Sequence, residues 1–201
     1  MKILIPSREV FLAAVASYDG NSRVYLDALR DIQRGWGDPA KMADAIWPVL
    51  CNWHAEFYHW GSGDLTAIAS AIKQKIDVIN GFRSRTIDTL SKADEPRIRE
   101  LFWEFRKATG RTNSKGFSAS STGAAKAMNI LCPHFLPLWD EDIANLYRCE
   151  HDAFGYAAEF CHLMKEFAAT AQTYVAKPDD RPILRRIDEY NWAITRRKKA
   201  S

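Results

Sequence analysis

Two ionisable side chains stand where local structure would tune them for chemistry. Lys126 follows Gly123-Ala124-Ala125, a run of small residues that opens a helical pattern continuing through Met128, Ile130 and Leu131. A cation in the first turn of a helix is disfavoured by the backbone dipole. The amine pKa is then expected to fall, and the fraction of neutral, nucleophilic amine to rise. Asp140 lies 14 residues on, after an apolar loop, His134-Phe135-Leu136, bracketed by Pro133 and Pro137, and directly after Trp139. It precedes Ile143, Ala144, Leu146 and Tyr147 at helical spacing, so it reads as an N-cap held by backbone N–H groups. An amine that attacks and a fixed carboxylate that stabilises positive charge suit a reaction through a cationic, sugar-like carbon. Each residue also has a purely structural reading: Asp140 caps a helix whether or not it reacts, and Lys126 can be a lysine at a helix edge.

The segments around this pair are helical throughout. Ser7 caps an amphipathic pattern running to about Tyr18. After the turn Asp19-Gly20-Asn21-Ser22 a second helix carries Val24, Tyr25, Leu26, Leu29 and Ile32. Asp38-Pro39 starts a third, read from Ala40 to about Trp60 with a kink at Pro48 and, from its aromatic content, a place at the centre of the core. Asp64 caps a helix through Asn80. Residues 81–92 read as a short helix rather than a strand, Asp94-Glu-Pro96 opens a helix to Thr109, and 110–121 reads as a polar loop. Cys149 to Val175 reads as one long helix, Lys177-Pro-Asp-Asp180 breaks it, and Arg181 to about Arg197 forms the last, with Asp188 and Glu189 outward. There is no βαβ rhythm and no repeat. The expected fold is all-α, about nine helices in a single domain over 1–201, with two lobes, roughly 1–110 and 111–201, as the alternative division.

Composition agrees. The chain has 201 residues, is 47% hydrophobic and contains 7 Trp, 7 Tyr and 10 Phe, enough to bury a sizeable core. No window approaches 18 apolar residues, so no membrane span is expected. The start, MKILIPSREVF, is a poor fit to a signal peptide. The four cysteines show no CxxC pairing, which suits reduced thiols in a cytoplasmic protein. The net charge of +3 is unevenly spread. Residues 177–201 hold eight Lys/Arg against four Asp/Glu, and 83–115 hold nine against five. Two basic segments on a near-neutral body fit a polyanionic partner, or simply solvated helix faces.

Other constellations are weaker. Cys149, His151, Cys161 and His162 invite a zinc reading, but neighbours on a helix point about 100° apart, so Cys161 and His162 cannot readily share one ion. No metal and no cofactor is expected. His54 and His59 read as partly buried, satisfied histidines. No phosphate-binding or dinucleotide glycine motif is present, and no nucleophile–His arrangement can be read from one sequence.

The run Gly123-Ala-Ala-Lys126-Ala-Met-Asn-Ile-Leu131, then a Pro-containing loop and Leu136-Pro-Leu-Trp-Asp140 before a new helix, resembles the catalytic segment of the helix-hairpin-helix DNA glycosylases, the 8-oxoguanine glycosylase branch in particular. The likeness covers roughly 30 of the 201 residues. It implies an all-helical fold, Lys126 as a Schiff-base lysine and Asp140 as the catalytic aspartate. DNA would be the partner, with the target base flipped into a pocket between helical lobes. Phosphate would be held by the hairpin and by basic residues, here Lys115, Ser121, Thr122, Gly123, Arg196, Arg197, Lys198 and Lys199. Phe135, Trp139 and Trp192 would stack on the base, unless they belong to the aromatic core. The implied activity is base excision in DNA repair, a hydrolase with lysine-dependent abasic-site lyase chemistry. The alternative is a non-catalytic helical module that binds nucleic acid or a protein partner.

Overall fold

The computed structural model of the chain describes residues 5–18, 20, 22–175 and 181–200, with 197–200 described by backbone alone. Ten α-helices carry most of these residues: α1 (Arg8–Ala16), α2 (Ser22–Arg34), α3 (Pro39–Trp53), α4 (Ala55–His59), α5 (Leu65–Arg83), α6 (Glu95–Ala108), α7 (Ser121–Leu131), α8 (Glu141–Tyr147), α9 (Cys161–Tyr174) and α10 (Ile183–Ala200). The all-α expectation holds. The turns Asp19-Gly20-Asn21 and Lys177-Pro-Asp-Asp180 fall largely or wholly outside the described residues.

Helix α7 is the axis. From Thr122 to Leu131 every residue is buried, sheathed by α2, α3 and α6. Small residues make this possible. A Cβ on Gly123 would come within 2.7 Å of Thr109 Oγ1, at the end of α6, so Gly123 serves the close approach of two helices. A helix buried on every side in this way is a core helix rather than a surface one, and it carries Lys126 and Asn129 into the interior with it.

Four boundaries differ from the sequence reading, each for a local reason. The third helix runs through Pro48 but stops at Trp53, because His54 leaves helical geometry (φ −138°, ψ 36°). Its core contribution is aliphatic (Met42, Ile46, Val49, Leu50), while Trp60 is exposed. Residues 111–118 are a hairpin, not a loop: β2 (Arg111–Asn113) and β3 (Gly116–Ser118) pair antiparallel and β1 (Ser62–Gly63) joins β2. The turn needs Gly116 at φ +108°. Residues 87–89 and 92–94 are short 3₁₀ turns. The long helix expected from Cys149 begins later: Arg148 closes α8 in the left-handed region at φ 56°, Asp152 caps the next segment through the Phe154 and Gly155 N–H groups at 2.8 Å each, and Gly155–Phe160 is π-helical before α9.

Candidate functional site

Lys126 is the sixth residue of α7, whose N-cap is Ser120, its Oγ accepting from the Gly123 N–H at 2.9 Å. It therefore lies beyond the first turn, where the helix dipole has faded. Its pKa is nevertheless brought down to about 8, and burial is the main cause, partly opposed by the charges of Asp140 and Asp188. The residue is only 8% exposed. Its Nζ donates to the Trp53 carbonyl, at the last residue of α3. The amine is thus less basic than an ordinary lysine for a different reason from the one the sequence suggested.

Asp140 is the N-cap of α8, accepting from the Ile143 N–H at 2.9 Å. The loop that delivers it is pinned along its length. Asn129 Nδ2, on α7, donates to the Leu136 carbonyl at 2.7 Å. Tyr156 Oη donates to the Pro137 carbonyl at 2.7 Å, and the Ile87 N–H to the His134 carbonyl at 2.9 Å. Proline supplies no N–H of its own, so the loop is held through its carbonyls.

Lys126 and Asp140 line one cavity of about 260 Å³. Trp53, Leu138 and Trp139 give it an apolar wall, and Tyr18, Gly20 and Asn52 lie at its other sides. The remaining wall is α10, through Arg185, Asp188, Trp192 and Arg196. Arg185 is 1% exposed, and its guanidinium lies 4.6 Å from the ring centre of Tyr18, 4.3 Å from Trp53 and 5.3 Å from Tyr25. It pairs with Asp188 and lies 3.4 Å from Glu189 Oε1. Glu189 is also paired with Arg181 at 2.8 Å. Burial pushes the Asp188 carboxyl up to about 6 despite Arg185. Asp188 and Glu189, expected outward, therefore point inward. The i, i+3 and i, i+4 spacing of Arg185 to these acids was the legible signal of an ion-pair cluster.

The remaining sequence-stipulated residues divide. Trp139 and Trp192 do line the cavity; Trp139 is also packed among Tyr156, Phe160 and Phe102. Phe135 does not line it: it is fully buried and stacked on Phe82 at 4.8 Å. Arg196 lines it, its guanidinium 4.5 Å over the Trp192 ring. The side chains of Arg197, Lys198 and Lys199 lie outside the described residues. Thr122 and Gly123 are buried and the Gly123 N–H is taken by Ser120, which removes them from any surface that phosphate could reach. Ser121 is half-buried and its Oγ donates to the His151 carbonyl at 3.4 Å. Lys115 is exposed in the β2–β3 turn and is not a wall of the cavity. Tyr18, Trp53, Arg185 and Asp188 are among the wall residues that sequence reasoning missed.

His54 sits behind the site, its Nε2 3.1 Å from Ser120 Oγ. Burial, then the charge of Lys126, brings its pKa down to about 4, so it is neutral near pH 7. Among the described residues no three His, Cys, Asp or Glu side chains converge as a metal site requires, and no helix is long and apolar enough to cross a membrane. His162 instead contacts Glu95 at 3.0 Å. No protein-family model, curated protein sequence or solved structure matches this chain.

Proposed function

We propose that this cavity is the active site of a DNA N-glycosylase with lysine-dependent abasic-site lyase activity. One observation carries the reading: a buried amine of lowered basicity and a helix-capping carboxylate open into the same aromatic-walled cavity. At about 260 Å³ the cavity lies just under the 300 Å³ at which ligand pockets typically begin, which suits one planar ring system. The base leaves with the glycosidic electron pair, and Asp140 stabilises the positive charge left on the sugar carbon. The neutral Lys126 amine attacks that carbon, and opening of the sugar gives an iminium linkage from which strand scission follows. With its pKa near 8, a substantial minority of Lys126 is free amine at pH 7.5. Arg196 brings positive charge to the mouth, and Trp192 gives an aromatic ring for stacking beside it.

Borohydride trapping on duplexes with different damaged bases tests this. A covalent protein–DNA adduct that disappears in Lys126→Ala, and base release that disappears in Asp140→Asn with the fold intact, are expected. No adduct and no release with any lesion overturns the enzyme reading. A second reading, a non-catalytic helical module, is favoured by the Lys126 bond to the Trp53 carbonyl, since an amine at a helix C-terminus is a structural device in its own right. It predicts binding without adducts.

A further inference from the structure

Asp188 is a second carboxylate in the cavity, beside the helix-capping Asp140. Its side chain is 14% exposed and lies on α10, one turn after Arg185, to which it is paired. Arg185 is clamped among the Tyr18, Trp53 and Tyr25 rings and has no room to swing. It therefore fixes Asp188 on the wall of the cavity that Lys126 also lines. Asp140 is differently committed, one oxygen being engaged by the Ile143 N–H as the cap of α8. The two carboxylates thus stand in unlike settings, one a helix cap and one a buried wall residue held by a single guanidinium.

We propose that Asp188 is the proton acceptor and donor for Lys126 when that amine forms an imine, a role that rests on Lys126 being the nucleophile of the site. The steps balance on one aldehyde. The Lys126 ammonium gives a proton to the Asp188 carboxylate, and the free amine forms the N–C bond as the carbonyl π pair moves to oxygen. The proton on Asp188 passes to that oxygen. A second proton leaves nitrogen for Asp188 and is returned to the hydroxyl as water departs and the nitrogen lone pair closes the C=N bond. Overall an ammonium and an aldehyde become an iminium and water, and Asp188 ends ionised.

The charged and titratable groups around Asp188 agree with this assignment. Lys126 on α7 and Arg185 on α10 favour its anion, while Asp140 before α8 and Glu189 on α10 oppose it. Burial outweighs them and leaves Asp188 near 6, with Lys126 near 8. Tyr18 and Tyr25 face the same cluster through Arg185, His54 feels Lys126 from behind, and Arg196 lines the mouth. Between pH 6 and 8 the Lys126–Asp188 pair holds one transferable proton, the state the reaction uses.

The test uses the full-length protein and pyridoxal as a small aldehyde, with borohydride reduction and mass-spectrometric counting of label on Lys126. Asp188→Asn is expected to slow labelling at pH 7 about 100-fold or more, the lower end of general acid–base effects, and Asp188→Glu to restore part of the rate. A carboxylate that merely stabilises the ammonium gives the opposite sign: its removal frees more amine and labelling accelerates. That outcome, an unchanged rate, or a wild-type protein in which Lys126 takes no label, overturns the proposal. Should Asp188→Asn fail to fold, the wild-type pH profile decides. A bell with limbs near 6 and 8 supports the proposal, and a rise to a plateau above 8 overturns it. If DNA gives no adduct while pyridoxal labels Lys126 with the Asp188 dependence, the DNA reading has failed and this proposal stands.

Discussion

The Lys126 amine donates a hydrogen bond to the Trp53 carbonyl, joining the middle of α7 to the last residue of α3. The bond satisfies a helix C-terminal carbonyl that has no partner within its own helix. It also ties the buried amine to the ring that stacks on Tyr25 at 5.6 Å and on Arg185. The sign of its effect on stability is fixed by linkage. Lys126 titrates near 8 when folded and near 10.5 when unfolded, so between these values the unfolded chain holds a proton that the folded chain has lost. Stability contributed at this site therefore rises with pH across that window. Compared with Lys126→Met, the wild type should gain roughly 3 kcal/mol between pH 8 and pH 10.5. Urea unfolding of both proteins at matched pH checks this; a gap that does not change with pH refutes it.

Asn129 holds the loop to Asp140. It is fully buried, its Oδ1 accepting from Tyr25 Oη at 3.0 Å and its Nδ2 donating to the Leu136 carbonyl at 2.7 Å. Asn129→Leu leaves a buried hydroxyl and a buried carbonyl unpaired, at a cost of about 2–4 kcal/mol. The expected result is a lower midpoint in chemical denaturation with an unchanged slope. Loss of under about 0.5 kcal/mol would mean that the loop is pinned elsewhere.

Asp94 anchors the 3₁₀ turn before α6. It takes Arg85 Nη1 at 2.6 Å and Nη2 at 2.9 Å, and the Ser91 N–H and Oγ at 2.8 and 2.9 Å. Arg85 above all holds its carboxyl well below the ordinary carboxylate range. A depressed acid contributes stability that is present above its unfolded pKa, 3.8, and is lost as pH falls below it. Asp94→Asn should cost about 2–3 kcal/mol at pH 7 and flatten the acid limb of the stability curve. An acid limb identical to the wild type would assign acid unfolding to other groups.

Gly155 opens the π-helical segment with no room for a side chain. A Cβ there would lie 1.9 Å from the Glu150 carbonyl oxygen. Gly155→Ala should destabilise the protein by about 2 kcal/mol or more, and calorimetry reads the shift in Tm. An unchanged Tm would show that residues 150–155 can move apart at little cost.

Arg196 is stacked on Trp192 at the cavity mouth. If it meets a phosphate, Arg196→Gln reduces the slope of log Kd against log salt for duplex DNA by about 1. Salt-independent binding would count against any nucleic-acid partner.

Local codes were legible in the sequence. Ser7, Asp38, Asp64 and Asp140 all cap helices through their side chains as their types predict, because capping is decided within four residues; the Ser120 cap, inside a segment read as loop, was not legible. The all-α class followed from periodicities that a reader of one strand of text can count. Lys126 and Asp140 were singled out by their flanks, but their common cavity depends on α7 packing under α3 and on the loop fastened by Asn129, Tyr156 and Ile87. Arg185, Asp188 and Glu189 could not be oriented from their own helix, where charge reads as outward. Only the rings of Tyr18, Tyr25 and Trp53, brought from three other segments, supply the buried setting in which that charge is stable. Caps and periods are short-range and written in order along the chain. The lowered basicity of Lys126 is a matter of burial, which exists only once distant segments have closed around it.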